Sequence, residues 1–126
     1  MQTSTEVAVE YLRRFASRDF AGALALTADD ATYRSADGAE HGKEATAQLY
    51  GMLATLFTDL RVDVLGTTAE GARVAVEAVV EGSLTNGGHY RNSVHYLFVV
   101  DGGRITSTRE YCDTKPAEAF FQAAQG

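Results

Sequence analysis

Between Thr5 and Ser17 the apolar residues fall at Val7, Ala8, Tyr11, Leu12 and Phe15. Those steps of one, three and four place them on one stripe of a helix. Asp19 then predicts an N-cap for a second, short helix reaching Leu26. Ala31 to Ser35 reads as a short strand carrying Tyr33, and Asp37-Gly38 as the loop after it. A third helix is predicted from about Lys43 to Phe57, with Leu49, Met52, Leu53 and Leu56 as its apolar face. Beyond it the period becomes that of strands. Four β-rich runs, Leu60–Thr67, Arg73–Leu84, His89–Val100 and Arg104–Thr114, are separated by Glu70-Gly71, Asn86-Gly87 and Asp101-Gly102-Gly103. Gly and Asn accept the positive φ that tight turns require, so these separators predict hairpins. Pro116 fits the first turn of a last helix, with Glu118 near its positive end. Helices, then a meander, then a helix predict one α+β domain over residues 1–126, with helices packed on one face of a mostly antiparallel sheet.

The turns also suggest registers. A two-residue Asn86-Gly87 loop pairs Glu77 with Tyr96, Val79 with Val94 and Glu81 with Asn92. A three-residue Asp101-Gly102-Gly103 loop pairs Tyr96 with Thr108, Val94 with Glu110 and Asn92 with Cys112. Opposite residues share a face. One face then carries Glu77, Val79, Glu81, Asn92, Val94, Tyr96, Thr108, Glu110 and Cys112. The other carries Val76, Ala78, Val80, Arg91, His95, Leu97, Arg109, Tyr111 and Asp113. On that second face Arg91 neighbours Asp113, and His95 neighbours Arg109. Its apolar members suggest a dimer interface. Periodicity alone leaves open which face meets the helices. Burying Val74, Val76, Ala78 and Val80 would leave Glu77 and Glu81 in water, and the reverse would place carboxylates in an apolar hollow at considerable cost. A one-residue slip in either hairpin swaps strands between faces.

Composition narrows the functions. The 126 residues include 45% hydrophobic positions and 11 Lys and Arg against 17 Asp and Glu, for a net charge of −6. That is globular composition without a basic run, so neither nucleic acid nor an anionic membrane surface is an expected partner. Cys112 is the only cysteine, which excludes an intrachain disulfide and a Cys-x-x-Cys metal pair. No signal peptide and no long apolar span is visible, so a cytoplasmic location is expected. No His, Asp and Glu cluster has metal spacing, and no glycine-rich phosphate loop occurs, so no metal and no cofactor is expected.

The run from His89 to Thr114, HYRNSVHYLFVVDGGRITSTREYCDT, carries a family likeness. Its Tyr90 and Asn92, its Asp-Gly-Gly turn, Ile105 and the Arg109-Glu110-Tyr111-Cys112-Asp113 segment resemble the SnoaL-like branch of the NTF2-like superfamily. That superfamily also includes ketosteroid isomerase and limonene-epoxide hydrolase. The element order resembles it over nearly the whole chain. The resemblance implies a cone in which helices and a strongly curved sheet enclose one pocket. It also implies that Glu110 faces that pocket, with Thr108 and Cys112 beside it. By the register above, Asn92, Val94, Glu77 and Val79 join them. The epoxide hydrolases pair this acid with an arginine and an aspartate on an earlier strand. Gapless alignment puts Glu77 and Val79 at those positions. Their pocket tyrosine persists as Tyr33, with Ser35 where its asparagine neighbour would be.

Glu110 in an apolar pocket would have its pKa raised into the range of general acid–base catalysis. The alternative is a structural carboxylate paired with Arg73, Arg104 or a helix terminus. Glu77 is either a second acid–base group or a solvated strand residue. Tyr33 and Tyr96 are either donors to a developing oxyanion or core tyrosines with satisfied hydroxyls. Tyr11, Phe15 and Leu53 are expected to form pocket wall, and Asn92 to orient a ligand or satisfy backbone. His95 falls on the outer face, and His41 and His89 near loops. Cys112 has no histidine beside it, which argues against a catalytic thiol. The resemblance implies cofactor-independent isomerisation, cyclisation or dehydration of a hydrophobic, carbonyl-containing or polyketide-like substrate, and the apolar outer sheet face adds the expectation of a homodimer joined there. The alternatives are a non-catalytic module that binds a small ligand, and epoxide hydrolase-like water addition. The fold alone does not choose between these.

Overall fold

The computed structural model describes residues 2–125. Helix α1 (Ser4–Ala16) begins at a capping box. Thr3 accepts from the Glu6 backbone N–H, and the Glu6 carboxylate accepts from Thr3 N–H. This start lies one residue before the predicted one. The pattern Thr-x-x-Glu signals it in the sequence. The predicted stripe is the buried one, with Val7, Ala8, Tyr11 and Leu12 all inside. Asp19 caps α2 (Phe20–Leu24) by accepting from Gly22 N–H at 2.9 Å.

Strand β1 (Thr27–Arg34) is longer than the sequence pattern suggests, and a two-residue strand β2 (Glu40–His41) pairs with it. Helix α3 (Lys43–Leu56) buries Thr46, Tyr50 and Leu56, while Met52 is 44% exposed. The inward stripe is therefore rotated toward Tyr50 from the predicted Leu49–Met52–Leu53–Leu56 face. Strands β3 (Phe57–Glu70), β4 (Arg73–Leu84), β5 (His89–Asp101) and β6 (Arg104–Cys112) follow as a meander. Pro116 sits in a 3₁₀ turn (Lys115–Ala117) rather than in the last helix, and α4 (Glu118–Ala124) starts after it.

The sheet order is β2-β1-β6-β5-β4-β3. Every pairing is antiparallel except β1 with β6, which is parallel. The α+β architecture is the one expected, with helices over one face of a curled, mostly antiparallel sheet.

The register of β4 on β5 differs from the predicted one by a single residue. Val76 faces Tyr96, Ala78 faces Val94, Val80 faces Asn92, Glu77 faces His95 and Glu81 faces Arg91. The cause is in the turn. Thr85 N–H leaves the ladder to donate to Leu56 C=O at the end of α3, at 2.9 Å. The loop thereby gains Thr85 and becomes Thr85-Asn86-Gly87, closed by Leu84 N–H to Gly88 C=O at 2.8 Å, with Gly87 at φ +85. The slip turns β4 over. Val74, Val76, Ala78 and Val80 are buried, and Glu77 points outward and is exposed. The alternating apolar pattern of β4 was the better guide to its face, and no carboxylate of β4 is forced into the core.

The second hairpin also departs, with a different result. Its loop is Gly102-Gly103, both at positive φ, with Asp101 opposite Arg104. A bulge then shifts β6 by one residue between Val100↔Ile105 and Val99↔Ser107. The net displacement of two residues preserves the faces and changes the partners. Tyr96, not Val94, stands opposite Glu110, Val94 stands opposite Cys112, and Phe98 stands opposite Thr108. On the outer face His95 faces Tyr111 rather than Arg109. Arg91 joins Arg61 and His89 around Glu81 rather than pairing with Asp113.

Candidate active site

The concave face of the sheet, α1, α3 and α4 enclose a cavity of about 130 Å³. Helix α1 contributes Tyr11, Leu12 and Phe15, and α3 contributes Leu49, Tyr50, Met52 and Leu53. The sheet supplies Tyr33 from β1, Phe57 and Leu60 from β3, Val80 from β4, Tyr90 and Tyr96 from β5, and Thr108 and Glu110 from β6. Phe120 of α4 closes one side, stacked on Tyr90 at 4.7 Å and edge-on to Phe57 at 5.5 Å. Five of the six tyrosines thus line one cavity, and Glu110 is its only Asp, Glu, Lys, Arg or His among the described residues.

Parallel pairing of β1 with β6 sets Tyr33 beside Thr108. From there its hydroxyl donates a short hydrogen bond to Glu110 Oε2. Burial raises the pKa of Glu110 above its ordinary value, and the Tyr33 bond opposes that rise only in part. No cation lines the cavity to stabilise the carboxylate. Tyr33 itself is pushed up, first by burial and then by the Glu110 charge. On its other side the Tyr33 ring stacks on His41 at 5.6 Å, because His41 is its register partner in β2.

A second hydrogen-bonded pair joins the Tyr11 and Tyr50 hydroxyls, both fully buried. Each has its pKa raised, chiefly by burial. Tyr96 is buried directly across from Glu110 and is also raised, by burial and then by the Glu110 charge. Among the described residues no buried side-chain nitrogen or oxygen lacks a partner.

Seven of the residues singled out from sequence converge on the cavity wall: Glu110, Tyr33, Tyr96, Tyr11, Phe15, Leu53 and Thr108. Glu77 and Val79 do not, because the β4 register turns both to the outer face. The side chains that β4 sends inward near the site are Val76, Ala78 and Val80, so Glu110 has no charged partner on that strand. Val94 is buried on the inner face but does not border the cavity. Asn92 is buried behind the wall, where its amide donates to Tyr90 Oη at 3.1 Å and to Asp113 C=O at 2.7 Å. It holds Tyr90 instead of reaching the cavity. Cys112 lies partly buried next to that group, with its thiol pushed up to about 11 by burial and then by the Glu110 charge. Sequence reasoning passed over Tyr50, Phe57, Tyr90 and Phe120 as wall residues.

No group of three or more His, Cys, Asp or Glu with metal-holding geometry occurs among the described residues. No described helix is long and apolar enough to cross a membrane.

A curled sheet closed by helices over one apolar cavity is the NTF2-like architecture, and structures of that class superpose on this one closely. Within it, the SnoaL-like domain profile matches residues 8–108, and the chain belongs to the SnoaL-like family. IdmH of Streptomyces antibioticus, a proposed polyketide cyclase, superposes with a TM-score of 0.79 at 18% identity, over 96% of this chain and 99% of its own. An LEH-like epoxide hydrolase of M. tuberculosis gives 0.77 at 24% identity, over 95% of this chain and 87% of its own. AclR of Streptomyces galilaeus, a proposed hydroxylase, gives 0.81 at 15% identity, over 98% and 82%. At such identities the likeness is one of fold. No curated protein matches the chain in sequence.

Proposed function

We propose that the chain is a cofactor-independent enzyme that moves a proton next to a carbonyl group, with Glu110 as general acid–base. The observation that carries this reading is a partly buried carboxyl group in an apolar cavity, bonded by a phenol and faced by no cation. A carboxylate so placed is a stronger base than one in water, and its pKa moves toward working pH. Glu110 would take a proton from the carbon α to the carbonyl. The enolate oxygen would accept a hydrogen bond from Tyr96, the tyrosine opposite Glu110, while Tyr33 holds the carboxylate in place. Returning the proton to another carbon is isomerisation. Expelling a β-hydroxyl is dehydration. Attack of the enolate on a second carbonyl is cyclisation.

The cavity volume of about 130 Å³ resembles that of an engineered cavity of roughly 150 Å³ that takes one benzene ring. A single-ring ketone therefore suits the closed site better than a polycycle, which would have to displace α4. Water addition of the epoxide-hydrolase kind is less well supported, because Val76, Ala78 and Val80 leave no arginine or aspartate on the inner face of β4 to share the work. The outer sheet face, with Leu65 at 57% and Tyr111 at 49% exposure, supports a homodimer joined there. Sedimentation of a monomer at micromolar concentration would remove that part.

The test is the titration of Glu110 by carboxyl-detected NMR, with Glu110→Gln to assign the signal. Deuterium exchange at the α-carbons of a panel of single-ring ketones and enones accompanies it. The expected result is a raised pKa together with exchange that Glu110→Gln abolishes. An ordinary or lowered pKa would overturn the reading. A raised pKa without exchange would favour a binding module.

A further inference from the structure

The same cavity has a second chemical character that acid–base catalysis on a neutral carbonyl does not use. Eight of its sixteen lining side chains are aromatic, and the one charged group among them is a carboxylate. The aromatic rings come from every side: Tyr11 and Phe15 from α1, Tyr50 from α3, Tyr33 and Tyr96 from the sheet, Phe120 from α4. The negative face of an aromatic ring attracts a cation, most strongly where water is excluded. The carboxylate attracts it as well, and is itself short of a positive partner.

We infer that this cavity is a receptor for a small hydrophobic organic cation, a tertiary or quaternary ammonium, seated among the tyrosine rings with its charge toward Glu110. The inference shares Glu110 with the proposed function but goes beyond it, since binding of this kind requires no reaction. Each part of the wall has a separate role. The rings supply attraction that requires no hydrogen bond from the cation. The apolar side chains of α3, Leu49, Met52 and Leu53, cover the methyl groups. Glu110 sets the sign of the charge, and anions are excluded because no lysine, arginine or histidine reaches the cavity. A volume of about 130 Å³ limits the occupant to roughly the size of benzene, about six or seven non-hydrogen atoms. A quaternary ammonium bearing three methyls and a short arm satisfies that limit.

The groups facing Glu110 determine how binding must depend on pH. They are Tyr33 from β1, Tyr96 and Tyr90 from β5, Tyr11 from α1 and Cys112 from β6. All are neutral acids whose pKa values are raised, with Tyr90 at about 12 and Cys112 at about 11. Only Glu110 therefore changes charge near neutrality. A cation binds the ionised form, so its affinity must rise as pH rises through the Glu110 pKa and then level off.

Choline chloride and its uncharged isostere 3,3-dimethylbutan-1-ol, titrated into the full chain by calorimetry and NMR, test this directly. At a pH above the Glu110 pKa the cation should bind at least about tenfold more tightly than the isostere. The preference should shrink as pH falls, and Glu110→Gln should lose most of it. Tyr96→Leu, which removes a ring but no charge, should weaken choline more than the isostere. It provides a second measurement if Glu110→Gln folds poorly. Equal affinities for the two probes would overturn the inference, as would tighter binding of choline at low pH. Neither result touches the carbonyl reading, which is tested by the Glu110 titration and α-proton exchange. If both hold, choline competes with the ketone for the site.

Discussion

The Tyr33 hydroxyl donates to Glu110 Oε2 across two parallel strands, so the one acid of the cavity is held by a phenol and not by a cation. A guanidinium in that place would supply a full charge and keep the carboxylate ionised. A phenol supplies a hydrogen bond and leaves the cost of burial largely standing. Glu110 is thereby positioned and still able to change protonation state.

Removing that bond has a definite sign. Tyr33 lowers the Glu110 pKa, and burial raises it. In Tyr33→Phe only the burial effect remains, so the Glu110 pKa should climb above its wild-type value, as read by carboxyl-detected NMR. Stability should fall by about 1–3 kcal/mol, the cost of leaving a buried acceptor unpaired. A Glu110 pKa that falls or stays fixed would mean that the phenol does not hold the carboxylate in solution.

Glu77 provides the contrasting case. It is exposed on the outer face, opposite His95. Glu77→Gln should leave the Glu110 titration unchanged and alter stability by no more than about 0.5 kcal/mol. A displaced Glu110 pKa in this variant would restore the register in which both glutamates face inward.

These two glutamates show what the chain discloses before it is folded. The α1 stripe, the Asp19 cap, the hairpin meander and the grouping of Tyr96, Thr108 and Glu110 on one face follow from local periodicity and turn chemistry, whereas the inward direction of that face is what the family resemblance implies. The face of β4 does not follow from its turn, because the turn is altered from outside: Thr85 N–H bonds to the Leu56 carbonyl at the end of α3, a partner that belongs to neither strand of the hairpin. That tertiary bond adds a residue to the loop and reverses a strand. The apolar alternation of β4 already pointed to the correct face, since Val74, Val76, Ala78 and Val80 gain more from burial than Glu77 and Glu81 could. Likewise, the two-residue shift in the second hairpin arises from a bulge, which no turn dipeptide announces. It moves Glu110 from opposite Val94 to opposite Tyr96. The tyrosine lining from α3 was hidden because an apolar count ranks Leu49 and Met52 above Tyr50.

Gly82 fixes one wall of the cavity through its lack of a side chain. A Cβ there would lie 2.5 Å from Asp59 C=O and 2.6 Å from Phe57 Cδ1. The first neighbour is backbone and the second is the ring that packs on Tyr90 and Phe120. Gly82→Ala should therefore destabilise the fold by about 1–3 kcal/mol, in the range of other overpacked sites. The displaced Phe57 should also shift the NMR signals of Tyr90 and Phe120. Chemical denaturation that finds the variant as stable as wild type would show that β3 and the Phe57 ring yield without cost.

The pH dependence of stability should carry the same signature of burial. The Glu110 pKa is raised in the folded chain above its ordinary 4.5. Between those two values the folded state holds a proton that the unfolded chain has lost. Stability therefore declines as pH rises through this window, by at most about 1.4 kcal/mol per pH unit, and levels off above the folded-state pKa. Below the unfolded value both states are protonated, and Glu110 contributes no slope. Glu110→Gln keeps the size and hydrogen-bonding shape of the neutral acid without its charge. The substitution should stabilise the protein at neutral pH, and the gain should shrink toward zero as pH approaches the ordinary carboxyl range. Urea unfolding of both proteins from pH 4 to pH 8 checks this, and the difference between the two curves isolates Glu110 from the exposed carboxylates common to both. A variant less stable than wild type at pH 8 would mean that the Glu110 charge is compensated in the folded chain. The acid–base role assigned to it would then lose its physical basis.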